Sequence, residues 1–471
     1  MTRVRGKSRY VGTGATLIVM GMTAALIGSA LSPASAASPS PSPSPSAAAT
    51  APVSLLKPIP PSAVVLSLPK DMYLHEGAPT EWWWHTGTLR AGNRTFGFVI
   101  NAASFAGQGF AFSQIMLTDV AKQRHYQRTT TYIPPGNFSA TTWAQSDVSK
   151  VWYARLGDPA NKLGGIQVTN AGAGYTSAPA TRFQGDGTGA VGLAQLNSAG
   201  GVQQIVLVSP GTGYTKPPVV TISGTGTGAT AITFPTYVSM TAPAADPTKN
   251  MHVKALLSDD PSLTQVTIDL TMSQKGRPFF VWGTGVNPGA QGTSVQDNNY
   301  YFSLTNLQAA GSITIDGKKL AVTGVTWMDH EYGAFGTAAN PVKWILQDMQ
   351  LDNGFSISNV GMVSGGKVPA INTAMDGYAT VEGPGGRTYL VASTVTPFGK
   401  TWTSKGSGVT YFTKFRVRIP SFGANVVVTT LMDSQEFPGT GNSSVYEGLA
   451  KAKGTFKKAK IVGTAWIEQT F

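Results

Sequence analysis

Short runs of alternating apolar and polar residues, each ended by Gly, Asn or Asp, succeed one another from residue 64 to the C-terminus. A period of two places successive side chains on opposite faces, which is the pattern of strands and not of helices. Trp82 to Arg90, the turn Gly92-Asn93 and Thr95 to Ser104 read as a hairpin. Phe110 to Asp119 and Thr129 to Ile133 continue the pattern, and Asp316-Gly317 and Asp352-Asn353-Gly354 mark further turns. The sequence holds no long amphipathic helical stretch. Composition agrees: Gly makes up 55 of 471 residues, charged residues only 12%, and aromatic residues are plentiful. An all-β chain of antiparallel barrels or sandwiches is expected.

The N-terminus sets the expected compartment. Arg3, Arg5, Lys7 and Arg9 precede an apolar run from Ala15 to Leu31, and Ala34-Ser35-Ala36 fits a small-residue cleavage site. Residues 1–36 therefore read as a signal peptide, with an uncleaved membrane anchor as the alternative because the apolar run is long, and the protein is expected to be secreted or held in the cell envelope. Residues 37–63 form a Pro/Ser/Ala-rich linker, extended because proline bars helix. Removing the four basic leader residues lowers the formal charge from +12 to about +8. The Lys-bearing tail from Lys451 to Lys460 alternates with small and apolar residues, so it reads as a solvated strand face and no nucleic-acid partner is expected. Cysteine is absent, which excludes disulfides and thiolate metal sites.

Residues 164–233 break the style. Gly174-Tyr175-Thr176-Ser177-Ala178-Pro179 recurs 39 residues later as Gly213-Tyr214-Thr215-Lys216-Pro217-Pro218. Such Gly-rich tandem repeats resemble those of bacterial surface and phage-tail proteins. The segment reads as a small β-rich module, either a binding unit or a neutral spacer placed at a loop.

Charge is scarce elsewhere, which singles out two stretches. Trp327-Met328-Asp329-His330-Glu331-Tyr332-Gly333 concentrates two acids, an imidazole and a phenol, and Glu81-Trp82-Trp83-Trp84-His85-Thr86-Gly87 echoes it. If extended, Trp327, Asp329 and Glu331 share one face, and Met328, His330 and Tyr332 share the other. Likewise Glu81, Trp83 and His85 oppose Trp82, Trp84 and Thr86. Aromatic walls with few acids suit a hydrophobic ligand.

These two motifs, with Tyr300-Tyr301-Phe302-Ser303, Tyr446-Glu447-Gly448 and Gly463 to Glu468, resemble the lipocalin-like carotenoid 1,2-hydratase (hydroxyneurosporene synthase) family, often called AttH-like. The resemblance covers about residues 70–160 and 236–471. It implies two lipocalin-like β-barrels packed together, over residues 64–330 and 331–471, with the repeat module inserted in the first. It also implies an isoprenoid-type substrate, a terpenoid, carotenoid or lipid. The family includes kievitone-hydratase-like enzymes and proteins that guide Diels–Alder cyclisations.

Hydrating an isolated alkene needs a protonated acid at one carbon, and water at the cation that results. An apolar site keeps the acid neutral, and aromatic faces stabilise the cation. Asp329 is the expected proton donor, with Glu331 or His330 orienting it or accepting the proton of water. Glu81, Trp83, Trp84, His85, Trp327 and Tyr332 are the expected substrate-binding residues. The competing reading ties Asp329 and Glu331 to backbone amides or Arg in a corner between barrels. No metal or other cofactor is expected. The histidines outside the motifs are scattered, and one strand rarely aims three adjacent residues at one ion. No Walker loop, dinucleotide fingerprint or nucleophile elbow occurs. Three classes remain: a hydratase or related cyclase, an exported lipid or pigment carrier, and a surface protein that works through its repeats.

Overall fold

A computed structural model describes residues 56–133, 138, 142–335, 343–363, 368–438 and 444–471. The leader 1–36 and most of the linker lie outside the described residues. The described chain is built of strands joined by turns, with only three-residue 3-10 helices between them.

Eleven strands make the first sheet. From edge to edge it runs Arg124–Tyr132, Phe110–Asp119, Arg94–Phe105, Thr80–Ala91, Lys318–Gly333, Asn299–Ile315, Gln265–Gln274, Met251–Ser258, Tyr237–Ala242 and Trp152–Leu156, with Phe279–Phe280 beside Asn299–Ile315. All its ladders are antiparallel, and the predicted hairpins occur in place. Asp316 (φ +48°) and Gly317 (φ +76°) form the tight turn between its two longest strands. The sheet coils around Trp83, Trp152, Phe302 and a large set of aliphatic residues. Its seam is stitched by side chains. Arg128 Nε donates to Ser258 O (2.6 Å), and its Nη2 donates to Asp259 O (3.0 Å). Gln127 N donates to Asp259 Oδ1 (3.0 Å).

The second sheet closes on itself. It runs Ala424–Thr430, Lys414–Ile419, Thr388–Pro397, Met375–Glu382, Ser356–Met362, Trp344–Leu351, Ala459–Thr470 and Val445–Phe456, and the last of these pairs back to Ala424–Thr430. Phe415, Tyr411, Tyr446 and Ile467 fill its interior. A third apolar cluster lies between the barrels, where Val99 and Met116 meet Phe437, Leu449 and Trp466. The approach is close: a Cβ on Gly97 would sit 2.7 Å from Leu449 Cβ.

The segment of repeats departs from a simple tandem. Three ribbons pair Gly165–Ala173 with Thr227–Phe234, Ala180–Gln184 with Val219–Ser223, and Thr188–Leu196 with Val202–Thr212. Each ribbon joins one strand from each copy, so the copies interdigitate into one body. Gly172 and Gly211, equivalent in the repeat, share φ +61°, and a Cβ on either would strike backbone at 2.4 Å or less. The flanking strands Trp152–Leu156 and Tyr237–Ala242 pair with each other. The ribbons therefore leave and rejoin the first sheet at one edge.

Replacing Arg128 with Met strips charged donors from two buried carbonyls. Unfolding stability should fall by about 2–3 kcal/mol, read by urea denaturation. A loss below about 0.5 kcal/mol would mean that the seam does not depend on this side chain.

Candidate functional site in the cleft between the barrels

The two motifs are neighbouring strands. Thr80–Ala91 pairs antiparallel with Lys318–Gly333, so that Trp82 faces Glu331, Trp83 faces His330 and Trp84 faces Asp329. Both faces of this ladder are buried, and alternation sends the side chains to two places. Gly333 ends the motif at φ +111°, where a Cβ would lie 2.1 Å from Asn298 O.

One face looks into the first barrel. Glu81, Trp83, His85, Met328, His330 and Tyr332 point there. Trp83 stacks on His330, with centroids 4.4 Å apart. Glu81 Oε1 accepts from His330 Nε2 (3.0 Å) and from His75 Nδ1 (2.9 Å). His75 Nε2 lies 3.4 Å from Asp71 Oδ1, and the His75 ring stacks on Tyr332. Burial opposes charge on His75, but its bonds to Asp71 and Glu81 prevail and hold it up at about 9. Burial would likewise raise Glu81, yet the hydrogen bonds from His330 and His75 bring it below the usual carboxylate range. Burial lowers His330, which is neutral and donates through Nε2. The ligand atoms of His75, Glu81 and His330 all lie within 4.8 Å of one another, a grouping the scattered sequence positions did not suggest. Glu81 Oε1 bonds both imidazoles, as a clamp that ties the segment before the first strand to the sheet. His85 is fully buried without a partner on either ring nitrogen, and burial pushes it down to about 3.

The other face opens on a cavity of about 540 Å³ between the barrels. Trp82, Trp84, Phe105, Phe110 and Phe112 supply one apolar wall, and Trp344, Leu346, Val360 and Met362 another. Trp282 borders it in a left-handed conformation (φ +57°), the strained kind of backbone often found at ligand sites. Asp329 and Glu331 enter from the first barrel, and Glu447 and Glu468 from the second. Trp327 lies beside them and, with Asp348, borders an adjoining void of about 20 Å³, room for one water.

Each acid has a fixed, neutral hydrogen-bond donor. Ser303 Oγ (2.5 Å) and Trp327 Nε1 (2.7 Å) donate to Asp329 Oδ1. Asn299 Nδ2 donates to Glu331 Oε1 (2.6 Å), Trp344 Nε1 to Glu468 Oε2 (3.1 Å) and Trp466 Nε1 to Glu447 Oε2 (2.6 Å). None of these partners is an Arg or a backbone amide, so the reading of a bridged corner does not hold. Burial raises Asp329 to about 6, moderated by Ser303, Trp327 and Tyr301. Burial, helped by the charges of Asp329 and Glu468, raises Glu331 to about 8. Burial and the charge of Asp329 bring Glu468 to about 7. Burial and the neighbouring acids push Asp348 and Glu447 well above the carboxylate range.

Of the residues expected to act, Asp329, Glu331 and Trp84 reach the cavity and Trp327 supports it. Glu81, Trp83, His85, His330 and Tyr332 do not, because strand alternation turns them into the first barrel. Trp82, which alternation placed on the face of Trp84 but which was not among the expected site residues, forms part of the wall. Sequence reasoning also missed Asp348, Glu447 and Glu468 as site residues. Their signal was an acid within a strand buried on both sides.

Two packed antiparallel barrels with an acid-bearing, largely apolar cleft between them define a protein of the lipocalin-like class. The AttH-like family profile matches residues 228–470, over half of the chain, and the protein belongs to that family. No curated protein matches the sequence. The fold is similar to an AttH-type protein from Nitrosomonas europaea, with a TM-score of 0.52 at 16% identity over 88% of this chain and 98% of that one. It is also similar to kievitone hydratase from Nectria haematococca, with a TM-score of 0.54 at 15% identity over 87% of this chain and 93% of that one.

Two checks follow from the opposite electrostatics of the two faces. The folded state binds Glu331's proton up to about pH 8, whereas an unfolded Glu releases it near its ordinary value of 4.5. Between those values the native state holds more protons, so stability falls as pH rises. Glu331→Gln should therefore stabilise the protein at pH 8.5 by a few kcal/mol, and flatten the pH dependence of Tm. Glu81→Gln should cost about 3 kcal/mol at pH 6. That deficit should shrink as pH rises through the His75 value of about 9, where the stabilisation by His75 is itself lost. Equal deficits at pH 6 and pH 10 would show that the clamp is not ionic.

Proposed function

We propose that the protein is a hydratase acting on a hydrophobic, isoprenoid-type substrate held between the barrels. One observation carries the reading: two carboxyls on one strand face, Asp329 and Glu331, enter a largely apolar cavity, where burial raises Asp329 to about 6 and Glu331 to about 8. Groups tuned apart in this way divide acid and base roles. Glu331, protonated at neutral pH, gives its proton to one alkene carbon. The electron pair of the double bond forms the new C–H bond and leaves a cation on the other carbon, faced by Trp82 and Trp84. A water oxygen bonds to that carbon, and ionised Asp329 takes the released proton. Proton return from Asp329 to Glu331 resets the site. This assignment moves the donor role from Asp329, the sequence expectation, to Glu331. The name of kievitone hydratase supports water addition as the reaction. A cavity of this size holds one drug-sized molecule. We place the protein outside the cytoplasm on the strength of its leader, where association with the cell or membrane surface would bring it to such substrates.

The test is incubation of the protein with prenylated compounds, neutral and amine-bearing, in oxygen-18 water, read by mass spectrometry. Labelled alcohol should form with a bell-shaped pH profile bounded near 6 and 8. Glu331→Gln and Asp329→Asn should each lower turnover at least about 100-fold. Label incorporation that is unchanged in both variants would end the assignment.

A further inference from the structure

The hydration reading uses Asp329 and Glu331. It leaves the second barrel's acids without a task. Glu447 and Glu468 are directly opposed residues on adjacent strands, an arrangement that like charges destabilise. Both line the cavity. Glu447 is fully buried, and its Oε1 has no hydrogen-bond partner. Asp348 Oδ1, beside the adjoining void, also lacks one. Among the described residues that line the cavity there is no Lys, Arg or His. Among the described residues no side chain donates to these two buried oxygens, which leaves room for a donor or counter-charge from a ligand.

We propose that this end of the cavity binds the cationic head of the substrate, an amphiphile bearing a protonated amine, and that it rejects anionic lipids. The ammonium donates to Glu447 Oε1 and neighbouring carboxyl oxygens, which ionise around it, while the apolar chain lies along Trp82, Trp84 and Phe112. A carboxylate or diphosphate would instead be buried beside acids, with no cation among the described lining residues to meet it. Long-range charge points the other way. The chain carries a formal net charge of +12, which attracts anions, so a preference for cations has to arise locally. The inference rests on the proposed function only for the place of the ligand, and it stands or falls without turnover.

The experiment titrates the full protein, below micelle formation, with dodecylamine, dodecanol and dodecanoic acid. These chains are saturated and cannot be hydrated. Binding is read by quenching of tryptophan fluorescence and by calorimetry. The amine should bind at least about tenfold more tightly than the alcohol, and the acid at least about tenfold more weakly. In Glu447→Gln, and in Glu447→Gln with Glu468→Gln, the advantage of the amine should fall to within about threefold of the alcohol. Continued binding of the alcohol shows that the cavity has survived the substitutions. If the acid binds as well as the amine, or the double variant keeps the full preference, the proposal is overturned. Failure of the labelled-water experiment would leave these outcomes untouched.

Discussion

A strand buried on both faces must divide its side chains between two environments, and Lys318–Gly333 does so in its last seven residues. Met328, His330 and Tyr332 complete the interior of the first barrel, while Trp327, Asp329 and Glu331 turn to the cleft. The period of two makes the division strict, since a slip of one residue would put Asp329 and Glu331 into a packed core. The register with Thr80–Ala91 extends the same division to Trp82 and Trp84. On the inner face the clamp of Glu81, His75 and His330 holds that register from within.

The two faces treat charge in opposite ways. Inside the barrel, Glu81 has imidazole partners and remains ionised although it is buried. In the cleft the donors to the acids among the described residues are neutral and include indole N–H groups, a serine hydroxyl and an asparagine amide. Such donors fix the direction of a carboxyl without supplying a counter-charge, so burial dominates and raises the acids above the ordinary carboxylate range. That contrast explains why one ladder carries both a structural ion pair and groups suited to proton transfer.

Much of this architecture was legible in the sequence. Alternation with Gly and Asn punctuation specified strands, and Phe110–Asp119 occurs with the bounds read from the pattern. The face-sharing of Asp329 with Glu331 followed from the same period. The choice of face did not, because both faces of the ladder carry aromatic residues. Trp83 and Trp84 look equivalent until their partners are known: one stacks on His330 inside the barrel, the other borders the cavity. Glu447, Glu468 and Asp348 were harder to find, since each is a lone acid in its own strand. They become a group only when the second barrel closes and docks. The repeat was visible as an offset of 39 residues, but its interdigitation depends on pairings between copies.

The location of the ligand space also bears on whether the protein transports or transforms. A lipocalin carrier needs a hollow barrel with apolar walls. Here the barrel interiors hold large side chains such as Trp83, Trp152, Tyr411 and Tyr446, and the described cavity lies between the barrels. Burying several carboxyls there is unfavourable even when they are protonated, and a carrier of neutral lipid would gain nothing from it. Strain and burial of this kind persist where function requires them. The acids come from both barrels, so the complete set exists only when the two are docked. Val99, Met116 and Gly97 on one side, with Leu449 and Trp466 on the other, therefore set the separation across which the two groups of acids face the cavity.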